Sequence, residues 1–359
     1  MKAADILRLR LANQAIARAR FREPEEAVAW FGAVQAQDYL GSLWAIGLRT
    51  RNATESVVEA AETRRAIVRT WPMRGTLHFV AADDARWITR LLAPRVIARN
   101  SPRWERDFGV THRLLGRADK LITAALEGGR RLSRERLYEV LEAKRIPTDK
   151  SRGLHLLLAL AMQGRLCLAG REGKQHTFAL LDEWVPRSAG LEGDEALAGL
   201  AGRYFTSHGP ATARDFAWWA GITSRQASAA LDDVRASLAS AEVDGHRYWW
   251  RDSGKHLASG KAAGSRAQLL PAFDEYTVAY HDRSLLAAPG SRAPKMALLN
   301  PAVLVDGRIA GTWRRAIDKQ SVHVTTTLAR KLTGAESVAL RKTIASYGDF
   351  LELSASSAR

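Results

Sequence analysis

The sequence predicts an α+β protein made of three tandem winged-helix units, each a helix-turn-helix plus a β-hairpin, with a C-terminal β-rich domain. Three observations carry that prediction. Helical stretches, a helix of recognition length and a two-stranded hairpin recur three times in that order. A Gly-, Ala- and Ser-rich run at 254–264 then reads as a linker. Beyond it the pattern changes to short strands closed by one helix. At 359 residues the chain is too long for one ordinary core. The expected boundaries are 1–108, 109–190 and 191–253 for the winged units and 265–359 for the β-rich domain.

In the first unit the apolar spacing predicts helices over 4–17, 24–34 and 54–63. Pro24 sits near a first helical turn and Thr54 is a candidate N-cap. Strands over 66–71 and 76–80 flank the turn Pro72-Met73-Arg74-Gly75, and Asp83 and Asp84 open a helix through Leu92. The second unit has helices over 114–126, 133–143 and 149–163. Its hairpin, 165–169 with 176–180, turns at Arg171-Glu172-Gly173-Lys174. The third has helices over 196–208 and 212–220, and one to Arg235 capped by Thr223 and Ser224. Its hairpin, 238–243 with 247–251, turns at Asp244-Gly245. After the linker, a strand is expected over 268–273, a hairpin over 303–313 with Asp306-Gly307 at its turn, a strand over 321–327 and a helix over 334–347.

Composition narrows the function. The 54 Lys and Arg against 38 Asp and Glu leave a formal net charge of +16. Such an excess raises encounter rates with polyanions and gives salt-dependent affinity for them. Arg dominates, and its planar fork suits phosphates and base edges. A codon-biased, Arg-rich proteome also explains Arg over Lys, but not why acids fail to keep pace. The hydrophobic fraction of 46% is ordinary for a soluble globular protein. No run approaches the ~18–20 apolar residues of a membrane span, and the start turns charged at Arg8 and Arg10, unlike a signal peptide. Cys167 is the single cysteine, so neither a disulfide framework nor a cysteine-based zinc site forms within the chain; a cytoplasmic location is expected. Nine scattered histidines show no His-Glu-x-x-His pattern. No metal and no cofactor are expected.

The run Val34-Gln35-Ala36-Gln37-Asp38 is the densest chemical signal: two carboxamides and a carboxylate in four residues of a basic chain. Residues two apart on an α-helix point about 200° away from each other. Gln35 and Gln37 therefore share a site only at a helix end or in a loop. If the helix continues through Asp38, Gln35 and Asp38 share a face instead. The plainer alternative is that the glutamines cap or solvate a helix end.

Four segments together resemble the AlkZ/YcaQ family of bacterial DNA glycosylases: 30–50 (WFGAVQAQDYLGSLWAIGLRT), 69–80 (RTWPMRGTLHFV), 269–284 (LLPAFDEYTVAYHDRS) and 302–315 (AVLVDGRIAGTWRR). The resemblance runs in order over roughly the whole chain. It implies three tandem winged helices, excision of alkylated purines and the unhooking of interstrand crosslinks. It also implies a catalytic Gln-apolar-Gln triplet, with Asp in place of the second Gln in the YcaQ branch. Here Gln35-Ala36-Gln37 meets the AlkZ form, with a small residue in the apolar slot, and Asp38 adds a carboxylate directly after it. N3- or N7-alkylation makes a purine cationic and a good leaving group. Little acid catalysis is then needed; water must be placed against C1′ and positive charge stabilised. A carboxamide orients water through its acceptor and its donor. No catalytic lysine stands out, so water is the expected nucleophile and an abasic site, without strand cleavage, the expected product.

Candidate DNA contacts are Arg74 on the first wing turn, Lys150 and Arg152 opening a helix of the second unit, Arg225 in the third, and Arg283, Arg314, Arg315 and Lys319 near the end. Ser224 and Gln226 are further contacts of the same helix as Arg225. The hairpin at Asp306-Gly307 is placed to probe a minor groove. His78, on the strand after Arg74, faces the site or fills the core. Asp274 and Glu275 read as strand neighbours on opposite faces, which forms no carboxylate clamp; Asp274 is expected to be a structural acceptor. The expected partner is double-stranded DNA carrying alkylated or crosslinked purines, bound by a monomer away from any membrane. The competing function is a non-catalytic winged-helix DNA-binding protein or transcriptional regulator. An RNA-binding role lacks the aromatic stacking motifs it needs.

Overall fold

A computed structural model describes residues 1–185, 190–252, 266–287 and 299–358. The linker expected over 254–264 lies outside the described residues, apart from which the chain forms two compact units. One comprises Met1–Val58, Ala198–Trp219 and Thr223–Arg359; the other comprises Glu59–Leu197 and Ala220–Ile222. Among the described residues no helix is long and apolar enough to cross a membrane.

In the Glu59–Leu197 unit five antiparallel strands run in the order Thr76–Ala81, Ile67–Met73, Leu166–Glu172, Gln175–Leu180 and Leu132–Ser133. The helices His112–Leu126, Arg134–Glu142 and Arg152–Met162 precede the second hairpin; Thr111 and Ser133 cap the first two through their side chains. Their apolar stripes meet in a core of Ile122, Leu126, Leu137, Leu141, Leu156, Leu157 and Leu160. The helix expected to stop at Leu92 instead runs Ala82–Phe108, past Pro94 and Pro102, to a left-handed Gly109. A helix-interior proline costs about 3 kcal/mol. Here Ala93, Val96 and Trp104 are buried on its far side, and that burial offsets the cost.

In the other unit a five-stranded sheet has the order Ser354–Ala358, Ser321–Leu328, Arg308–Ile317, Ala302–Val305, Ala267–Leu270. Pairing is antiparallel except for the parallel Ser354–Ala358 strand, which the sequence reading did not anticipate. Helix Gly334–Leu351 sets Tyr347 edge-on to Trp44 and Trp313, with ring centroids 5.0 and 5.1 Å apart. Helix Ser224–Val234 is followed by the hairpin Ala239–Val243 with His246–Trp250. Asp244 and Gly245 both take positive φ at its turn.

Two expectations in this unit are corrected. The strand expected over 268–273 stops at Leu270; Phe273 takes a positive φ and Asp274 caps a short helix, Glu275–Val278. At the Asp306-Gly307 turn Asp306 is exposed but Gly307 faces inward. Gly307, at φ +81°, is packed so closely that a Cβ there would sit 2.9 Å from Tyr276 Oη and 3.2 Å from Leu11 Cδ1. The exposed basic turn follows one strand later, at Lys319.

Candidate active site

The Gln-x-Gln segment is a connector fixed at both ends. Helix Pro24–Phe31 stops at Gly32, whose φ of +80° glycine alone adopts cheaply, with its N–H on the carbonyls of Val28 and Ala29. The helix therefore does not reach Val34 as expected, and Val34–Gln35 is extended. At the other end Asp38 is the N-cap of helix Tyr39–Gly47, its Oδ1 accepting the Gly41 N–H at 3.2 Å. A methyl at Gly41 would come within 2.6 Å of Asp38 Oδ2, so only glycine leaves room for the cap.

This geometry decides between the two pairings. Gln35 and Asp38 share no helical face. Gln35 and Gln37 lie two apart on non-helical chain and are linked through the backbone: the Gln37 main-chain N–H donates to Gln35 Oε1 at 3.2 Å. Ala36 is buried, Gln35 is 8% exposed and Gln37 is exposed. Gln35 is therefore not a solvated residue of a helix end. That bond assigns the oxygen of the Gln35 carboxamide, which leaves its NH2 edge to donate.

Behind Gln35 stands a carboxylate the sequence reading missed. Glu275, 1% exposed, accepts the Gln35 backbone N–H on Oε1 at 2.8 Å. Its Oε2 accepts from Trp219 Nε1 at 2.9 Å and lies 3.3 Å from His208 Nε2. His208 is fully buried, and burial holds its pKa below the ordinary value against the opposing pull of Glu275. One residue earlier, Asp274 accepts two 2.8 Å bonds from Arg49, the structural role expected of it. Arg49 also donates to the Gln14 and Ala45 carbonyls, and Trp44 Nε1 to the Leu269 carbonyl. The segment 269–278 thus anchors the helix that follows the glutamines. The available signal was the polar density of that segment; the assumption that it was a strand hid its meaning.

The predicted DNA contacts divide by exposure. Lys150, Arg225, Arg314 and Lys319 are exposed. Arg152 is clamped by the Phe108 carbonyl and Asp149. Arg314 and Arg315 are strand neighbours, so they point to opposite faces; Arg315 turns to the Tyr347 hydroxyl. Arg283 lies half-buried, 5.3 Å from the ring of Trp218, and burial lowers its pKa. Gln226 is spent on a capping box with Thr223. His78 is fully buried, its Nδ1 on the Thr76 carbonyl and its Nε2 3.2 Å from Arg74 Nη2. It orients Arg74 and offers no surface of its own.

Comparison with known proteins places this mixed α/β chain among the DNA glycosylases. The family model described as DNA glycosylase AlkZ-like matches residues 28–350. The chain belongs to that family, which decides against a non-catalytic regulator. A curated protein of Streptomyces sahachiroi named interstrand DNA cross-link repair glycosylase is 25% identical over 323 residues, 81% of this chain and 87% of the relative. The solved Streptomyces sahachiroi DNA glycosylase AlkZ superposes with a TM-score of 0.80 at 22% identity, covering 100% of this chain and 99% of that one; the likeness is one of fold.

Proposed function

We propose that this glycosylase hydrolyses the N-glycosidic bond of cationic N3- or N7-alkylated purines, and unhooks interstrand crosslinks, with water placed by Gln35 and Gln37. The observation that carries the reading is the short non-helical connector that carries both glutamines, with Gln37 exposed and the Gln35 carboxamide bound to the Gln37 backbone. The bond from C1′ to the purine nitrogen breaks with its electron pair going to the base, which neutralises the cationic ring. Gln37 holds water against C1′ while Gln35 braces Gln37 and presents its NH2 edge. The water oxygen bonds to C1′ and its proton passes to solvent, leaving an abasic site on an intact strand. Asp38 shapes the turn, since its carboxylate caps the next helix.

The same reading takes the three helix-and-hairpin successions as winged helices, with domain boundaries near residues 108, 190 and 253. It assigns duplex phosphates to Lys150 in one unit and to Arg225, Arg314 and Lys319 in the other, with Arg74, Arg152, Arg283 and Arg315 as further contacts. The protein works as a monomer, in a reducing cytoplasm that suits the buried free Cys167. The crosslink substrate is supported by the printed name of the Streptomyces sahachiroi relative.

The test is base release from duplex DNA with one 7-methylguanine, and from a crosslinked duplex. Gln37→Ala is expected to slow release by about 100-fold or more with DNA affinity unchanged. Full release by both Gln35→Ala and Gln37→Ala would remove the water-placing role.

A further inference from the structure

We infer that Glu275 is a positioning residue for base release: its buried carboxylate holds the Gln35 amide and fixes a negative charge behind the carboxamide pair. The inference rests on the reading of Gln35 and Gln37 given above. A carboxylate removed from water is costly unless hydrogen bonds hold it, so its placement needs a reason. Asp274 and Glu275 are adjacent and both buried, yet they do different things. Asp274 spends both oxygens on Arg49 and ties the following helix in place. Glu275 reaches across 240 positions of sequence to the backbone of one candidate catalytic residue.

The surroundings hold that carboxylate still. Trp219 donates to Oε2, and His208 faces the same oxygen with its Nδ1 2.9 Å from Ser207 Oγ. The His208 ring stacks on Tyr204 at 4.7 Å and meets Phe31 edge-on at 5.2 Å. Phe31 is the last residue of the helix that leads into the Gln-x-Gln connector. Glu275 therefore braces both the amide of Gln35 and, through His208, the residue where its connector begins.

The chemistry gives this charge a use. During cleavage positive charge moves from the departing base to C1′ and the ring oxygen. The Gln-x-Gln triplet is uncharged, and the Asp38 carboxylate is turned to a helix cap. A fixed anion bonded to Gln35 favours the cation on the sugar over the cation on the base, and needs no reorganisation as the bond breaks.

The full chain would be compared with Glu275→Gln, Glu275→Asp and Trp219→Phe on a 7-methylguanine duplex. Single-turnover rate, DNA Kd and Tm would be read for each. Glu275→Gln keeps length and loses charge; it is expected to lower the rate by about 10- to 100-fold with Kd within about twofold. Glu275→Asp keeps charge and is expected to recover part of that loss. Trp219→Phe removes one donor and is expected to cost several-fold in rate at unchanged Kd. A wild-type rate in Glu275→Gln overturns the inference, as does a loss that tracks falling Tm and weakening affinity in proportion. If Glu275→Gln does not fold, a wild-type rate in Trp219→Phe overturns it and a reduced rate at unchanged Kd supports it. Wild-type protein that releases no purine defeats the reading of the glutamines, and this inference falls with it.

Discussion

The two units put their buried charges to different uses. In the Glu59–Leu197 unit helices and hairpin strands meet in a leucine-rich apolar core. The other unit has an apolar core of its own, yet it also buries Arg10, Arg49, Asp215, Asp274, Glu275 and His208, each 3% exposed or less. Apolar packing stabilises without direction; buried ion pairs stabilise little on balance but fix geometry. The Glu59–Leu197 unit buries Glu62, Arg69, His78 and Asp84 as well, but it is the other unit's buried charges that hold the Gln-x-Gln connector: Glu275 takes the Gln35 N–H, and Asp274 with Arg49 ties the helix that follows.

Arg49→Met and Leu160→Ala test that contrast most strongly. Arg49→Met leaves Asp274 buried without its bidentate partner, which costs about 3–5 kcal/mol. Leu160→Ala, at a fully buried site, costs about 2–5 kcal/mol by the cavity it opens. The two differ in function. Arg49→Met is expected to lower the base-release rate of the folded fraction, because the helix after the glutamines loses its anchor. Leu160→Ala is expected to leave that rate unchanged. Chemical denaturation with single-turnover kinetics at permissive temperature reads both, and equal rate losses would erase the distinction. A smaller effect comes from Asp38→Ala, which removes the cap of helix Tyr39–Gly47 and costs about 1 kcal/mol. Its rate should fall by less than that of Gln37→Ala; the reverse order would return Asp38 to the chemistry.

The same contrast explains what the sequence shows and hides. Caps and turns are local, so Ser133, Thr223 and the Asp244-Gly245 hairpin are legible within a few residues. The connector is half legible: its residues stand out, but its extended shape depends on a positive φ at Gly32. Glu275 is not legible as a partner of Gln35, because a 240-residue separation leaves no periodic trace. Tertiary packing overrides local signals elsewhere. It carries a helix past Pro94 and buries Gly307 of the Asp306-Gly307 turn against Leu7 and Leu11.

The smallest expected effect comes from a histidine in the Glu59–Leu197 unit. Burial, and then Arg69 and Arg171, pull His176 down to about 4 from the ordinary 6.5. Its Nε2 lies 2.9 Å from Arg69 Nη1, an arrangement that suits the neutral ring. The folded state thus refuses a proton that the unfolded chain accepts between those two values. Stability from the neutral ring is fully present above about pH 6.5, declines as pH falls through that window and levels off below about pH 4. The ring is partly open to solvent, which screens the effect. Urea midpoints at about pH 7 and about pH 4 would be compared for wild type and His176→Gln. The variant should lose part of the wild-type decline on the acid side while its base-release rate at neutral pH stays the same. An unchanged acid decline would show that His176 contributes no pH sensitivity. A fall in base release would show that the Glu59–Leu197 unit reaches the chemistry, and the contrast between the two units would not hold.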